Sequence, residues 1–286
     1  MPRTIPARPA FAVSVAAVVL FQVAALVARS SLELLLLRRG YAAPHAADLS
    51  FLVVPPVLLL FMSPWARRCA APLCGLLRLR DLTWRTVALG VALGLDLRLL
   101  RWAALGWSLP AAGGDGASIG PLVGFACPPA GELLLATLVT VGLVPVVEET
   151  IHRGVILHAL LARGRTLAIA VSTLVFALLH APSAWALTLL GGALFGWQTL
   201  ALRTLWPALF AHATYNAAAL LDSRCTRLVW HPAGDDPLAA LAALASAAVL
   251  PLGLAFAGWI VTRKRRGNPG KPPAGSRPAG GRRGPA

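Results

Sequence analysis

Charged side chains are scarce in this chain. They make up 13% of its 286 residues, against about 25% in ordinary soluble domains. Apolar residues make up 57%, and mean hydropathy is +0.71. So few charges exclude a conventional water-soluble domain. Lysine is nearly missing, with Lys264 and Lys271 both near the C-terminus, so arginine carries the net charge of +15. The four cysteines, Cys69, Cys74, Cys127 and Cys225, are scattered. Cys69 and Cys74 flank Pro72 with no second pair to complete a zinc set. The cysteines therefore read as small apolar filler in or near helices and not as a disulfide framework. The excess of positive charge does not point to nucleic acid either. The basic residues sit in short runs between apolar stretches, and no basic surface is interleaved with aromatics.

What remains is apolar sequence in long runs, near 10–28, 49–63, 86–106, 133–162, 166–180, 185–201, 205–221 and 238–262. A span needs about 20 predominantly apolar residues. The pattern predicts an all-α, polytopic transmembrane helix bundle of about eight spans, forming a single integral membrane domain over 1–262 with no internal repeat. The first run is longer than the apolar core of a secretory signal and reads as a retained helix. The second holds Pro55-Pro56 and is expected to kink. The third carries Asp96, Arg98 and Arg101, which cannot all face lipid cheaply. From Arg263 to Ala286 the sequence is basic and rich in Pro and Gly, a disordered cytoplasmic tail suited to anionic lipid.

Lysine and arginine accumulate on the cytoplasmic side of membrane proteins. With eight spans and both termini inside, eighteen of these residues fall inside and five outside. This orientation puts loops 29–48, 107–132 and 222–237 outside. Abundant alanine, and arginine in place of lysine, suggest a GC-rich bacterial genome and so the bacterial inner (cytoplasmic) membrane.

Three polar clusters interrupt the apolar helices. In 133–162, a run that would rise ~45 Å as helix, the middle reads Glu148-Glu149-Thr150-Ile151-His152-Arg153. Glu149 and Arg153 are four apart and share a face, so they can pair. Glu148 points about 100° away. Ionisable groups at mid-membrane depth are functional candidates by default. The second cluster is Phe176-Ala177-Leu178-Leu179-His180, and the third is His212-Ala213-Thr214-Tyr215-Asn216, whose His212 and Asn216 project from one helix face. The orientation puts Glu148 centrally, His180 toward the outer half and His212 toward the inner half.

Glu148-Glu149-x-x-x-Arg153, Phe176-x-x-x-His180 and His212-x-x-x-Asn216, in that order on successive helices, resemble the motif set of the CPBP (ABI) family, the CAAX prenyl proteases and bacteriocin-processing enzymes. The resemblance covers about 135–221. It implies an intramembrane endopeptidase in which Glu148 activates water together with His180, His212 and Asn216 stabilise the oxyanion, and Arg153 holds Glu149. Such an enzyme would act on a membrane-embedded or membrane-anchored peptide. Its runners-up are a non-enzymatic immunity or scaffold protein of the same family and a proton-coupled transporter. His152, His158 and Tyr215 fall outside the motifs and receive no role. The chemistry of the residues agrees: burial favours a glutamate base, and imidazole and carboxamide donors suit an oxyanion. No His-Glu-x-x-His motif is present, nor a Gly-x-Ser-x-Gly elbow. No cofactor is expected. Zinc held by Glu148, His180 and His212 is the alternative, disfavoured because the two histidines lie on different helices.

Overall fold

The computed structural model describes residues 15–57, 73–108, 123–125 and 127–227, and they are helical almost throughout. Helix α1 runs Val15–Arg38, α2 Ala43–Phe51, α3 Trp84–Ser108 and α4 Ala130–Arg163. Helix α5 runs Arg165–Leu178, α6 Trp185–Leu202 and α7 Trp206–Arg224. Among the described residues, three stretches are long and apolar enough to cross a membrane: Val19–Arg38, Ala130–Arg163 and Pro182–Leu202. Helix α5 is apolar but shorter. Of the spans expected from the sequence, part of 49–63 and all of 238–262 lie outside the described residues, as does the basic tail.

The first boundary differs from expectation. Helix α1 continues through Arg29 and Glu33, which the apolar pattern puts in an external loop. The two are one turn apart, Nη2 to Oε2 3.9 Å, and the Arg29 guanidinium lies 3.6 Å from the centroid of the Phe51 ring in α2. Paired charges and a ring to lie on let the helix carry polar residues that end the apolar run.

Helices α3 and α7 run parallel and touch backbone to backbone. A Cβ on Gly90 would come within 2.5 Å of the Pro207 carbonyl oxygen, and one on Gly94 within 2.4 Å of that of Ala211. Small residues at such a seam permit close approach where burial of apolar surface gives helices no net attraction. Farther along the seam Arg98 bonds Asp222, Nε to Oδ2 2.7 Å, and lies 5.7 Å from the Tyr215 ring. Asp96 is buried. The charges of the third apolar run thus face protein.

Helix α4 is not uniform. Two wide π-helical segments, Thr137–Leu143 and Thr150–Ile156, bracket the short α-helical stretch Val144–Glu149. Such segments occur inside helices mainly at functional positions. Helix α5 turns back along α4 after Gly164, whose φ of 114° suits glycine, and Ser172 Oγ donates to the His152 carbonyl at 2.7 Å.

The two ends of the bundle differ. At one, Cys127 and Cys225 form a disulfide between the segment preceding α4 and the end of α7. This corrects the reading of both as apolar filler. Beside it, β1 (Val123–Phe125) and β2 (Thr226–Arg227) pair as a short antiparallel ribbon. Arg224 reaches across to Asp48 of α2, Nη2 to Oδ2 2.9 Å, so the α1–α2 connection lies at this end too. At the other end, the turn joining α6 to α7 docks on residues 73–77: Leu205 N and Thr204 Oγ1 both donate to the Leu76 carbonyl. Cys74 there is an exposed free thiol.

Candidate active site

The six polar residues singled out in sequence come from two helices, α4 and α7, and the end of α5, and the fold brings them into one region. Glu149 is its anchor. Fully buried, its Oε1 accepts from Arg153 Nη1 at 3.0 Å and from His212 Nδ1 at 2.8 Å. The first bond is the one-turn pairing that the spacing predicts. The second joins α4 to α7 and could not be read from spacing. Arg153, also fully buried, lies 4.3 Å from the Phe176 ring centroid and 5.4 Å from that of Phe195. Those contacts replace lost hydration with the negative faces of two rings.

Glu148 is placed differently. Its side chain keeps 26% of its exposure, and its Oε2 is enclosed without a hydrogen-bond partner, 3.8 Å from His212 Nε2. His212 therefore stands between the two carboxylates, bonded through Nδ1 to Glu149 and presenting Nε2 toward Glu148.

His180 lies two residues beyond the last residue of α5. Its Nδ1–H donates to the Phe176 carbonyl at 2.8 Å, and its own carbonyl accepts from Trp185 Nε1 at 2.9 Å. With Nδ1 so committed, Nε2 is the atom left for chemistry. Phe176 is the common wall: its ring centroid lies 4.7 Å from that of His180 and 5.8 Å from that of His212. Asn216, one turn beyond His212, donates Nδ2 to the Thr140 carbonyl at 2.9 Å. That carbonyl belongs to the first π-helical segment of α4. The bond orients the carboxamide and leaves its second N–H free.

His180, His212 and Asn216 line one cavity of about 290 Å³. Its other walls are mainly apolar, with Leu97, Leu187 and Phe195, and it has Arg98 and Arg101 toward the disulfide end. Glu148 is not itself on the wall and meets it through His212. Among the described residues, no three His, Cys, Asp or Glu side chains converge as a metal-ligand set.

Several contributors escaped the sequence reading. Tyr215 lines the cavity. His152, fully buried, donates Nδ1–H to the Glu148 carbonyl at 2.7 Å and accepts at Nε2 from Gln22 Nε2 at 3.0 Å, tying α1 to the helix turn that carries Glu148. Gly192 leaves room for Arg153: a Cβ there would lie 3.1 Å from Arg153 Nη2 and 3.0 Å from Thr173 Cγ2. The Gly191-Gly192 pair inside an apolar run was the available signal for that close approach.

Neither a curated protein nor a solved structure matches the chain. Residues 130–218, which hold all three motifs, match the family model described as Type II CAAX prenyl endopeptidase Rce1-like. Through this segment, under a third of the chain, the protein is similar to the CAAX-type endopeptidases of the CPBP family.

Proposed function

We propose that this protein hydrolyses a peptide bond of a membrane-embedded or membrane-anchored polypeptide, using water activated by Glu148. The observation that carries the reading is the division of labour between adjacent carboxylates. Glu149 is held by Arg153 and His212, while Glu148 keeps an enclosed oxygen without a partner, 3.8 Å from His212 Nε2. That gap is too long for a direct bond, so this oxygen remains an uncommitted acceptor beside the cavity-lining His212.

In the proposed reaction the Glu148 carboxylate takes a proton as the water oxygen attacks the carbonyl carbon. The oxyanion accepts from the second N–H of Asn216, and from His212 Nε2 when that ring carries both protons, a state the two flanking carboxylates balance. Collapse breaks the C–N bond, and the proton passes to the departing amine from Glu148 or by way of His180 Nε2. The products are a carboxylate and an amine, so the atoms of water are accounted for.

A second reading, zinc hydrolysis, has one observation in its favour. His180 and His212 each commit Nδ1 to an oxygen acceptor and leave Nε2 open, the second-shell arrangement of metal-bound histidines. Such an ion would polarise the substrate carbonyl and the attacking water. The metal-independent reading is preferred because the ligand set stops short of three convergent side chains.

The protein is further proposed to reside in a bacterial inner membrane with about eight spans, both termini cytoplasmic, and a tail that meets anionic lipid. The test is hydrolysis of quenched-fluorescent peptides by purified protein in lipid nanodiscs. Wild type is expected to cleave, and Glu148→Gln and His180→Ala to abolish cleavage at near-normal membrane abundance. Full activity of Glu148→Gln would remove Glu148 from the mechanism. Absence of cleavage by wild type across a broad peptide library would favour the immunity or scaffold reading.

A further inference from the structure

The bundle has two chemically distinct ends, and the candidate cavity belongs to one of them. Helix directions follow from the contacts. Gly90 meets Pro207 and Gly94 meets Ala211, so α3 and α7 are parallel. Glu149 meets His212 and Thr140 meets Asn216, so α4 is antiparallel to α7. His152 meets Ser172, so α5 is antiparallel to α4, and α6 turns back from α5. The end where α3, α5 and α7 finish and α4 and α6 begin is therefore a single face of the molecule.

That face holds the Cys127–Cys225 disulfide. The opposite face holds the exposed thiol of Cys74. Disulfides form and persist in oxidising compartments, whereas the cytosol keeps thiols reduced. Charge gives an independent answer of the same sign. Arg78, Arg80, Arg85, Arg163, Arg165 and Arg203 gather at the Cys74 end, as cytoplasmic loops do.

The cavity reaches from His212 and Asn216 at mid-bundle to Arg101, His180, Ala184 and Thr188. The last four sit at the finish of α3, just after α5 and around the start of α6, all toward the disulfide face. Arg101 Nη1 donates to the Ser183 carbonyl at 3.1 Å, fixing the α5–α6 turn as one lip.

We infer that the cavity opens on the extracytoplasmic side of the membrane, so that its substrates are exported or membrane-anchored polypeptides whose scissile bond is presented from that side. The substrate half of this statement rests on the proteolytic reading above; the sidedness does not.

The experiment is thiol labelling of the full-length protein in intact bacterial cells with a membrane-impermeant maleimide. Cysteine is introduced separately as Ser183→Cys, Ala184→Cys and Thr188→Cys in a background with Cys69 and Cys74 replaced by serine and the disulfide pair retained. Cys74 is followed in a chain lacking only Cys69. The lip positions are expected to react in intact cells to most of the level reached after lysis. Cys74 should react only after lysis, and Cys127 and Cys225 only after reduction. Ser183 is exposed, so it reports the face even where a substitution inside the cavity lowers abundance. Lip labelling only after lysis, reaction of Cys74 in intact cells, or alkylation of Cys127 and Cys225 without reductant overturns the inference. Peptide hydrolysis by purified protein is measured separately, so failure of the enzymatic reading leaves the sidedness standing, and the reverse.

Discussion

Replacing Arg153 with alanine tests the logic of the buried centre most directly. Arg153 and Glu149 are both fully buried and joined at 3.0 Å. Arg153→Ala leaves a carboxylate in the bundle with His212 as its remaining partner. Removing one member of a buried pair typically destabilises by about 3–5 kcal/mol, because the other charge stays uncompensated. Loss of the guanidinium from above Phe176 and Phe195 adds on the order of 0.5–2 kcal/mol. Against a total stability of ~5–15 kcal/mol, such a loss should lower membrane abundance and the thermal denaturation midpoint in detergent together.

The pair also makes a sharper statement. Replacing both charges, Glu149→Gln with Arg153→Met, removes the stranded charge and keeps most of the volume. The double variant should be clearly more stable than Arg153→Ala alone, as neutral replacements of whole buried pairs often are. It should nonetheless remain inactive, because a carboxamide at position 149 would hold His212 without a charge. The assay pairs a thermal shift with peptide hydrolysis. An Arg153→Ala protein of wild-type stability, or a double variant no better than that single one, would refute the reasoning.

Asn216→Ala should lower kcat by about 10²–10³, the usual effect of losing one oxyanion donor, with little change in KM; a pure KM effect would move Asn216 to substrate docking. His212→Ala should lose as much kcat and also some stability, since it breaks the link to Glu149. Gly94→Val should sharply reduce folded protein, because even its Cβ falls 2.4 Å from the Ala211 carbonyl oxygen; normal expression would contradict the backbone contact between α3 and α7. Dialysis against a strong chelator should leave peptide hydrolysis intact, and stoichiometric zinc whose removal abolishes activity and whose return restores it would establish the metal reading instead.

How much of this is legible in the sequence follows from the range of each interaction. The Glu149–Arg153 pair is one helical turn long, and its spacing is enough to predict it. The three motifs announce which residues gather, and the apolar runs announce helices. Contacts between helices leave weaker traces. Nothing near Asn216 hints that Thr140 would offer its carbonyl, because the two lie on different helices 76 positions apart. Asp96, Arg98 and Arg101 are recognisable as unable to face lipid, yet Asp222, the partner of Arg98, lies on another helix. The end of α1 is misplaced by pattern because Arg29 and Glu33 break the apolar run while neutralising each other on the helix surface. Cys127 and Cys225 give no signal at all, being far apart in sequence and without a flanking pattern.

That disulfide changes what kind of object the cavity is. The two cysteines are separated by 98 positions, and every motif residue from Glu148 to Asn216 lies between them. The helices that carry the motifs therefore belong to one covalent ring, from which the rest of the chain departs as two arms. A single cut in any connection inside the ring, such as the α5–α6 turn, leaves the pieces bonded to each other. Closing a loop of ~100 residues removes conformational freedom from the opened chain worth about 4.7 kcal/mol on the chain-entropy model. A nick at that lip would open the ring without dispersing its parts.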